Sequence, residues 1–286
     1  MQATISELWI YPVKSCAGVR MKTVQALRTG LAFDRQWIVV HTDSGKQVTQ
    51  RSHPVMALIK AVVLNMQTLS LSYAGMEMLE LAVITENNRL QNQTLKTVTT
   101  WEISLPALDM GAAASAWLSL VLGTDVRLMQ FDPAQKRVVR SDTFADHAHH
   151  FADGFPYLVL SQSAVDTLNE RLSDRLLEKD AFTVKADRFR ANIILSGVDA
   201  HTEDFSKAMR HQSGAVLHMV KPCTRCGVPN IDQATGKTHA SHEPNLSLAQ
   251  YRHDRAADGV IFGMNAVISQ SASFAVGDVL EIELDF

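Results

Sequence analysis

The sequence predicts a mainly β protein of the α+β class, on two observations. Short apolar segments, separated by turn residues, run through roughly the first hundred residues. Such close spacing favours a barrel or a sandwich over a parallel α/β sheet. The chain also closes on FAVGDVLEIEL, which predicts a turn at Gly277-Asp278 and then a strand over residues 279–284. Only three segments are typical of helices, so strands should dominate the fold.

The N-terminal segments each carry a strand signal. In ISELWIYPV, apolar residues recur until Pro12, which should end the first strand or place it at a sheet edge. DRQWIVVHTDSGKQVTQR indicates a hairpin: an apolar strand over 37–40, a turn at 43–45 and a second strand around Val48. ALIKAVVLN and LSLSYAGMEMLEL continue the pattern, the latter with a turn at Ala74-Gly75.

Three segments carry helix signals. AAASAWLSLVLG is rich in alanine and should end at Gly123. SAVDTLNERLSDRLL places leucines on one face and should begin with a capping box formed by Ser163 and Asp166. SLAQYRHDRAADG should be capped by Ser247 and ended by Gly259.

Composition and charge limit the function classes. The 286-residue chain has 46% hydrophobic and 20% charged residues, which suits a globular protein with a real core. A net charge of −3 without basic runs argues against nucleic acid or a membrane surface as partner. The N-terminus lacks a signal-peptide pattern, and no apolar stretch reaches the ~20 residues of a membrane-spanning segment. With only three cysteines, we expect reduced thiols and a cytoplasmic location.

The segment KPCTRC, residues 221–226, concentrates the reactive chemistry. Cys223 and Cys226 could form a redox pair, contribute to a zinc site with His239 and His242, or supply one thiolate to a larger cofactor. The segment between the cysteines and the histidines has too little apolar content for the core of a zinc finger. A thioredoxin-like pair would open a helix, whereas GVPN follows the second cysteine directly.

Two basic residues, Lys221 and Arg225, accompany this pair. Positive side chains stabilise thiolate, which is both the nucleophile and the soft metal ligand. The residues alone therefore indicate that one or both thiols are reactive or metal-binding, and they leave the metal open.

Several separated segments resemble one family. YPVKSCAGV, FDRQWIVV and TQRSHPVMALI are similar to the N-terminal β-barrel domain that precedes many MOSC domains. FADGFPYLVLSQSAVDTLNERL, DRFRANIILSG, KPCTRCGVPNIDQATG and the closing FGMNAVI and VGDVLEIEL resemble the MOSC domain itself. The resemblance covers nearly the whole chain. It implies an N-terminal MOSC-type β-barrel domain over residues 1–120 and a MOSC β-barrel with peripheral helices over residues 121–286.

By pattern, the chain resembles bacterial MOSC proteins related to the mitochondrial amidoxime-reducing component. This resemblance implies an oxidoreductase that binds molybdenum cofactor (Mo-molybdopterin) and reduces N-hydroxylated small molecules. Cys226 would be both the catalytic residue and the metal ligand, while Cys223 would not bind the metal. A carrier of molybdenum cofactor or sulfur, without turnover, is the alternative. Three cysteines cannot hold a four-cysteine iron–sulfur cluster, so electrons would come from a separate protein: a reductase, or a ferredoxin-like or cytochrome b5-like protein.

The resemblance also assigns cofactor-binding residues. Lys14, Ser15 and Arg35 match positions that bind the cofactor's phosphate, for which a lysine charge, a hydroxyl donor and a guanidinium fork are suited. The positions around the pterin and the metal are matched by Asp153, Arg190, Asn192, Thr224 and Arg225. Each assignment has an ordinary structural alternative: a solvated lysine, a turn serine, a surface ion pair between Arg35 and Asp34, or polar strand residues that face solvent.

Two further segments bear on the substrate pocket. GVPN follows Cys226, where close relatives usually have an aliphatic residue and then hydroxyl residues, so we expect the wall beside the metal to differ. DHAHHFADG brings His147, His149 and His150 together. For this segment we expect a solvated loop near the mouth of the pocket rather than a metal cluster.

Overall fold

The computed structural model describes residues 1–85, 88, 94–101, 103–176 and 182–285. The α-helices of these residues are α1 (Ala112–Leu122), α2 (Gln162–Arg175) and α3 (Asn245–Tyr251). The strands are β1 (Gln2–Ile10), β2 (Val19–Met21), β3 (Thr23–Leu27), β4 (Gly30–Leu31), β5 (Trp37–His41), β6 (Lys60–Leu64), β7 (Thr68–Ser72), β8 (Leu79–Ala82), β9 (Leu95–Thr100), β10 (Ile103–Asp109), β11 (Val126–Phe131), β12 (Tyr157–Ser161), β13 (Ile193–Ser196), β14 (Ser206–His211), β15 (Val216–Thr224), β16 (His253–Asp254), β17 (Gly259–Ile268), β18 (Ala272–Ala275) and β19 (Val279–Leu284). The mainly β prediction is confirmed.

Seven strands close into a barrel. Their order is β12-β13-β1-β19-β14-β15-β17, and β17 pairs back with β12 to complete the ring. The first strand lies between β13 and β19, with Thr4 opposite both Ser196 and Val279. As predicted, β1 ends before Pro12, and β19 follows the turn at Gly277-Asp278. The first and last strands of the chain are therefore neighbours in one barrel.

Side-chain alternation fills this barrel. Along β1 and its neighbours, inward-facing residues pack into one apolar core that includes Ile5, Leu8, Tyr157, Leu217 and Phe274. On the other face of β12 and β13, α2 and α3 build a second apolar cluster together with part of β17. The two helices are peripheral to the barrel, as predicted.

Three smaller sheets accompany the barrel, with strand orders β5-β11-β10-β9, β6-β7-β8 and β18-β3-β4. The helix α1 packs with the first two of them around a core that includes Trp37, Leu71 and Leu118. Val13 forms a parallel bridge with Trp37. The segment after β1 is thereby fixed against β5, and this attachment positions Lys14 for the site described below.

The hairpin predicted around Asp43 to Gly45 is only partly formed. β5 and the turn are present, but the expected second strand around Val48 reduces to isolated bridges. The segment after the turn still bonds to β5, since Val48 N–H donates to Val39 O at 2.8 Å, and β11 pairs with β5 as well. The turn also packs closely on β9, because a Cβ at Gly45 would lie 2.4 Å from Thr97 O.

The first two helices differ in how well their ends were predicted. α1 agrees with its prediction, because Gly123 ends it in the left-handed conformation (φ 66°). The capping box predicted for α2 is wrong: Ser161 takes the N-cap position, and Ser163 Oγ donates to Val198 O at 2.8 Å. Asp166 accepts a hydrogen bond from the side chain of the first helical residue at 2.9 Å. Both predicted capping residues therefore serve other contacts.

The third helix begins earlier and ends sooner than predicted. Ser247 lies inside α3 rather than before it. The residues after the helix join the sheet, because Ile261 N–H donates to Arg252 O at 2.9 Å and Gly259 opens β17. Strand pairing thus excludes a helix that runs to Gly259. None of the helices in the described ranges is long and apolar enough to cross a membrane.

Candidate functional site

A cleft that is partly open to solvent gathers residues from distant parts of the chain. Eight of the nine site residues predicted from the sequence line it: Lys14, Ser15, Arg35, Asp153, Arg190, Asn192, Arg225 and Cys226. Other lining residues were not predicted as site residues, among them Thr49, Gln50, Arg51, Trp101, Phe155 and Asn265. The fold therefore brings nearly all of the predicted residues into one place.

The cleft is strongly cationic. Five positive side chains and one carboxylate line it, a surplus of four positive charges in a chain whose net charge is −3. The carboxylate is Asp153 and the cations are Lys14, Arg35, Arg51, Arg190 and Arg225. Positive charge concentrated in a cleft against the balance of the whole chain favours an anionic ligand.

Lys14 is held inside the cleft rather than in solvent. Only 6% of the residue is exposed, and its Nζ donates to Phe151 O at 2.7 Å and to the carboxylate of Asp153. Burial lowers the pKa of Lys14, and Asp153 opposes that shift. Withdrawal from water would raise the pKa of Asp153, but the charge and hydrogen bond of Lys14 outweigh it and hold that pKa below its usual range. The pair is therefore ionic, and the solvated-lysine alternative is wrong.

Trp101 extends this pair toward the open side of the cleft. The Trp101 Nε1 donates to Asp153 Oδ1 at 3.0 Å, and Arg51 Cζ lies 4.2 Å from the centre of the Trp101 ring. The indole is half-exposed, at 47%. An aromatic face in a cationic cleft offers a stacking surface for a planar group. Trp101 stands in no motif, and Arg51, although it lies in the family-like segment TQRSHPVMALI, was not predicted as a site residue.

Ser15 lies in a backbone turn that the neighbouring loop stabilises. It adopts a left-handed conformation (φ 68°), and its carbonyl accepts a hydrogen bond from Gln50 Nε2 at 2.8 Å. Gln50 is fully buried and also pairs with Gln233 at 3.1 Å. Ser15 is thus a turn residue, as its structural alternative held, and it lines the cleft as well.

Arg35 pairs with Asp34, but the pair is buried instead of lying on the surface. Its Nη1 donates to Asp34 Oδ2 at 2.6 Å and to Asn192 Oδ1 at 3.1 Å, and its Nη2 donates to Arg190 O at 2.7 Å. Asp34 is only 3% exposed. The guanidinium is therefore fixed by three acceptors on two parts of the chain.

Arg190 and Asn192 face inward, so the prediction's solvent-facing alternative is wrong for both. Arg190 adopts φ 57° and donates from Nη1 to Cys16 O at 2.8 Å. Its Nη2 is buried and finds no hydrogen-bond partner among the described residues. Asn192 is fully engaged: Oδ1 accepts from Leu158 N–H at 3.2 Å and Nδ2 donates to Trp9 O at 3.1 Å. Arg190 thus has a donor to spare for a ligand, while Asn192 fixes the barrel strands around the cleft.

The cysteine segment enters the cleft at the end of β15. Cys223 belongs to the strand, and Cys226 lies in the loop that follows, as the sequence predicts. Arg225 Nη1 donates to Cys223 Sγ at 3.0 Å and Nη2 donates to Phe189 O at 2.8 Å. Its Nε is buried without a partner in the described part of the chain. The arginine expected to support a thiolate therefore contacts Cys223 directly.

Cys226 is placed by its backbone. Asn245 Nδ2 donates to Cys226 O at 2.7 Å, and a single 3-10 turn over Val228–Asn230 follows. Gly227 has an ordinary φ of −70° and open space around its Cβ position, so a side chain at this position would meet no neighbour. Thr224 is exposed, pairs with Ile261 and lies outside the cleft lining. A cofactor contact from the Thr224 side chain is therefore not supported.

The zinc alternative lacks its geometry. The described residues contain no group of three or more His, Cys, Asp or Glu side chains placed to hold a metal ion. His239 instead stacks on Phe182, with ring centres 4.4 Å apart, and its Nδ1 lies 3.0 Å from Ser241 Oγ. The two cysteines and the two histidines do not converge.

The histidine loop is buried, which corrects the prediction of a solvated loop. His147 is 7% and His149 3% exposed. Arg137 holds the segment by donating from Nη1 to His150 O at 2.9 Å and to Ala152 O at 2.6 Å. Burial, with the charge of Arg137, lowers the pKa of His149 to about 2. These histidines support the segment that carries Asp153 rather than facing a substrate.

Comparison with known proteins agrees with the architecture. The family described as MOSC N-terminal beta barrel domain matches residues 2–125, and the family described as MOSC domain matches residues 146–281. Mitochondrial amidoxime-reducing component 1 of Homo sapiens is 30% identical over 277 residues, covering 93% of this chain and 77% of that protein. Mitochondrial amidoxime reducing component 2 of Bos taurus is 29% identical, with 96% and 82% covered.

A second group of relatives carries a different name. Molybdenum cofactor sulfurase of Danio rerio is 27% identical over 289 residues, covering 98% of this chain. This chain spans 33% of the length of that protein. The similarity therefore concerns one part of a much longer protein.

Proposed function

Because this chain belongs to the family of MOSC-domain proteins that includes the mitochondrial amidoxime-reducing components, we propose that it is a molybdenum-cofactor oxidoreductase. Its substrates would be N-hydroxylated small molecules, from which oxygen is removed. The observation that carries the proposal is the cleft itself, where one thiol, Cys226, shares the lining with a surplus of four positive charges. A soft metal ligand and an anion-binding wall are the two features that a phosphorylated dithiolene cofactor needs.

The residues present fit such a group. Arg190 Nη2 and Arg225 Nε are buried donors without a partner among the described residues, and both side chains line the cleft. An unsatisfied buried donor costs about 1–3 kcal/mol, so donors of this kind are seldom kept unless a ligand or water satisfies them. Two such donors in one cationic cleft support an anionic ligand with several acceptors.

Each part of the cleft has a proposed role. Lys14, Ser15 and Arg35 would bind the phosphate, with Lys14 exchanging part of its pairing with Asp153 for the ligand. Asp153, Arg190 and Arg225 would contact the polar edge of the pterin, and Cys226 would bind the metal. Asn192 would act through Arg35, since its own polar atoms are occupied. When bound, the cofactor supplies a metal that changes oxidation state and accepts an oxygen atom.

The chain's own residues would exclude water and orient the substrate. Phe155, Tyr157 and Phe189 form an apolar part of the cleft wall, and Trp101 offers an aromatic face. Cys226 lines the same cleft. Electrons would come from a separate donor protein, a reductase or a ferredoxin-like or cytochrome b5-like protein. The division into domains at residues 1–120 and 121–286, and the cytoplasmic location, stay predictions.

A carrier function is the second candidate, favoured by the similarity to a molybdenum cofactor sulfurase. In this case the same cleft would hold the cofactor without turnover. The two candidates share the binding residues and differ only in the reaction. An activity assay therefore separates them.

The test is reduction of a simple amidoxime to its amidine by protein purified from a molybdenum-replete host. Each turnover consumes two electrons and two protons and releases water, with reduced methyl viologen as the electron source. We expect turnover that falls at least about 100-fold in Cys226→Ser, since the metal loses its protein ligand. Protein that contains molybdenum but shows no amidine would support the carrier, and a fully active Cys226→Ser would refute the role of this thiol.

A further inference from the structure

Two guanidinium groups lie against the ring of Tyr11. Its ring is 1% exposed, with Arg35 Cζ 4.3 Å and Arg190 Cζ 4.2 Å from the ring centre. Both arginines line the cleft, whereas Tyr11 does not. We propose that Tyr11 is a positioning residue, whose ring orients Arg35 and Arg190 so that the two charges act together on the same anionic ligand. The inference rests on the proposed anionic ligand and adds a residue behind the cleft wall to its binding site.

The ring of Tyr11 offsets the repulsion between the two buried guanidinium groups. Two guanidinium groups close to the same side chain repel each other, and burial removes the water that would screen them. An aromatic ring is negative on both faces and attracts a cation to each, by about 0.5–2 kcal/mol per contact. Burial lowers the pKa of Arg190 to about 10, with the charge of Arg35 acting in the same direction, so Arg190 remains charged at neutral pH.

Hydrogen bonds then set the direction of each guanidinium. Arg35 Nη2 donates to Arg190 O at 2.7 Å, which ties the two residues to each other. Arg190 Nη1 donates to Cys16 O at 2.8 Å, and its Nη2 is the buried donor that finds no partner in the described residues. The ring contact and the carbonyl contact together leave that donor for a ligand.

The position of the ring is itself fixed. Tyr11 N–H donates to Asp34 Oδ1 at 2.8 Å, and Tyr11 Oη donates to Ala191 O at 3.3 Å. Gly18 supplies the space, because a Cβ there would lie 2.6 Å from Tyr11 Cε1 and 3.1 Å from Trp9 Cε3. Gly18 has no unusual backbone conformation, so its requirement is room for the ring. Tyr11 and Gly18 both belong to the segment YPVKSCAGV.

The test uses cofactor-free protein and inorganic pyrophosphate as the probe, with binding measured by titration calorimetry. In Tyr11→Leu we expect the Kd to rise about tenfold, from the loss of two cation–π contacts. Tyr11→Phe keeps both ring faces and should restore binding to within about twofold of the original protein. Gly18→Ala, which displaces the ring without removing it, should weaken binding in the same direction. Tyr73 does not line the cleft, so Tyr73→Leu is the matched control for loss of a tyrosine.

Double variants distinguish orientation of the arginines by Tyr11 from a purely structural role of its ring. If the ring orients them, the factor by which Arg35→Lys or Arg190→Lys raises the Kd for pyrophosphate should be about tenfold smaller in a Tyr11→Leu background. Unchanged factors, with Tyr11→Leu still folded, overturn the inference, as does an original protein that does not bind pyrophosphate. If Tyr11→Leu does not fold, the same double-variant comparison is made with Gly18→Ala. Absence of molybdenum from protein made in a replete host would refute the proposed cofactor but not this coupling.

Discussion

Acid should destabilise this protein through His149, and the size of the effect follows from its surroundings. The side chain is buried, and Arg137 Nη1 lies 3.3 Å from its Nδ1. Burial first, and then the charges of Arg137 and Lys14, lower its pKa from an ordinary 6.5 to about 2. In the unfolded chain the same histidine titrates near 6.5. The folded protein therefore holds it neutral across a pH range in which the unfolded chain protonates it.

The sign of the effect follows from the depressed pKa. Above pH 6.5 both states are neutral at His149, and the full stability is present. As the pH falls below about 6.5, only the unfolded chain gains the proton, at a cost to stability of about 1.4 kcal/mol per pH unit. At pH 5 the loss from this one group amounts to about 2 kcal/mol. The loss continues until the pH nears the folded pKa of about 2.

The assay is urea unfolding at pH 7 and pH 5, with His149→Gln compared with the original protein. Glutamine retains an acceptor for Arg137 and cannot titrate, so the fall in unfolding free energy between the two pH values should shrink by about 2 kcal/mol. The exposed residue His253 is the matched control, and His253→Gln should leave the fall unchanged. An equal fall in His149→Gln and in the original protein would refute the reasoning, since it would mean that His149 accepts a proton in the folded state.

Two further outcomes test the packing around the cleft. In cofactor-free native protein a maleimide should label Cys223 and Cys226, which line the cleft, while Cys16 should react only after unfolding because burial raises its pKa to about 12. Rapid labelling of all three thiols, measured by mass spectrometry, would contradict this. Gly263→Ala should destabilise the barrel by about 2–3 kcal/mol in thermal unfolding, because its φ is +80° and a Cβ would lie 2.8 Å from a strand carbonyl. Gly227→Ala, with open space around it, should be neutral, and equal melting temperatures for the two variants would show that the close approach is not real.

The strands at the two ends of the chain could be predicted from the sequence because their signals are local. Alternating apolar residues and a following turn or proline define β1 and β19 without reference to the rest of the fold. The end of α3 could not be predicted in this way. Residues after Tyr251 have a helical pattern, but pairing with β17 overrides it. Closure of the barrel between β12 and β17 likewise depends on contacts between segments far apart in the sequence.

Only some of the site residues could be predicted from the sequence. Lys14, Arg35 and Cys226 stand in segments that resemble a known family, and the fold brings them to one cleft. Trp101 and Gln50 lie there too. Trp101 stands in no motif, and Gln50, although it lies in TQRSHPVMALI, has an uncharged side chain that by itself indicates no ligand. The histidine loop looked solvated because its residues are polar. Arg137 donates to two carbonyl groups of this loop, and no local sequence pattern predicts those contacts.

The central claim is that Cys226 holds a molybdenum cofactor in this cleft. The most direct measurement is the molybdenum and pterin content of protein purified from a molybdenum-replete host, compared between the original protein, Cys226→Ser and Cys223→Ser. We expect about one molybdenum per chain in the original protein and its loss in Cys226→Ser. Cys223→Ser should retain the metal, because a serine hydroxyl can still accept a hydrogen bond from Arg225. Zinc in place of molybdenum, lost with either cysteine, or molybdenum retained in Cys226→Ser, would contradict it.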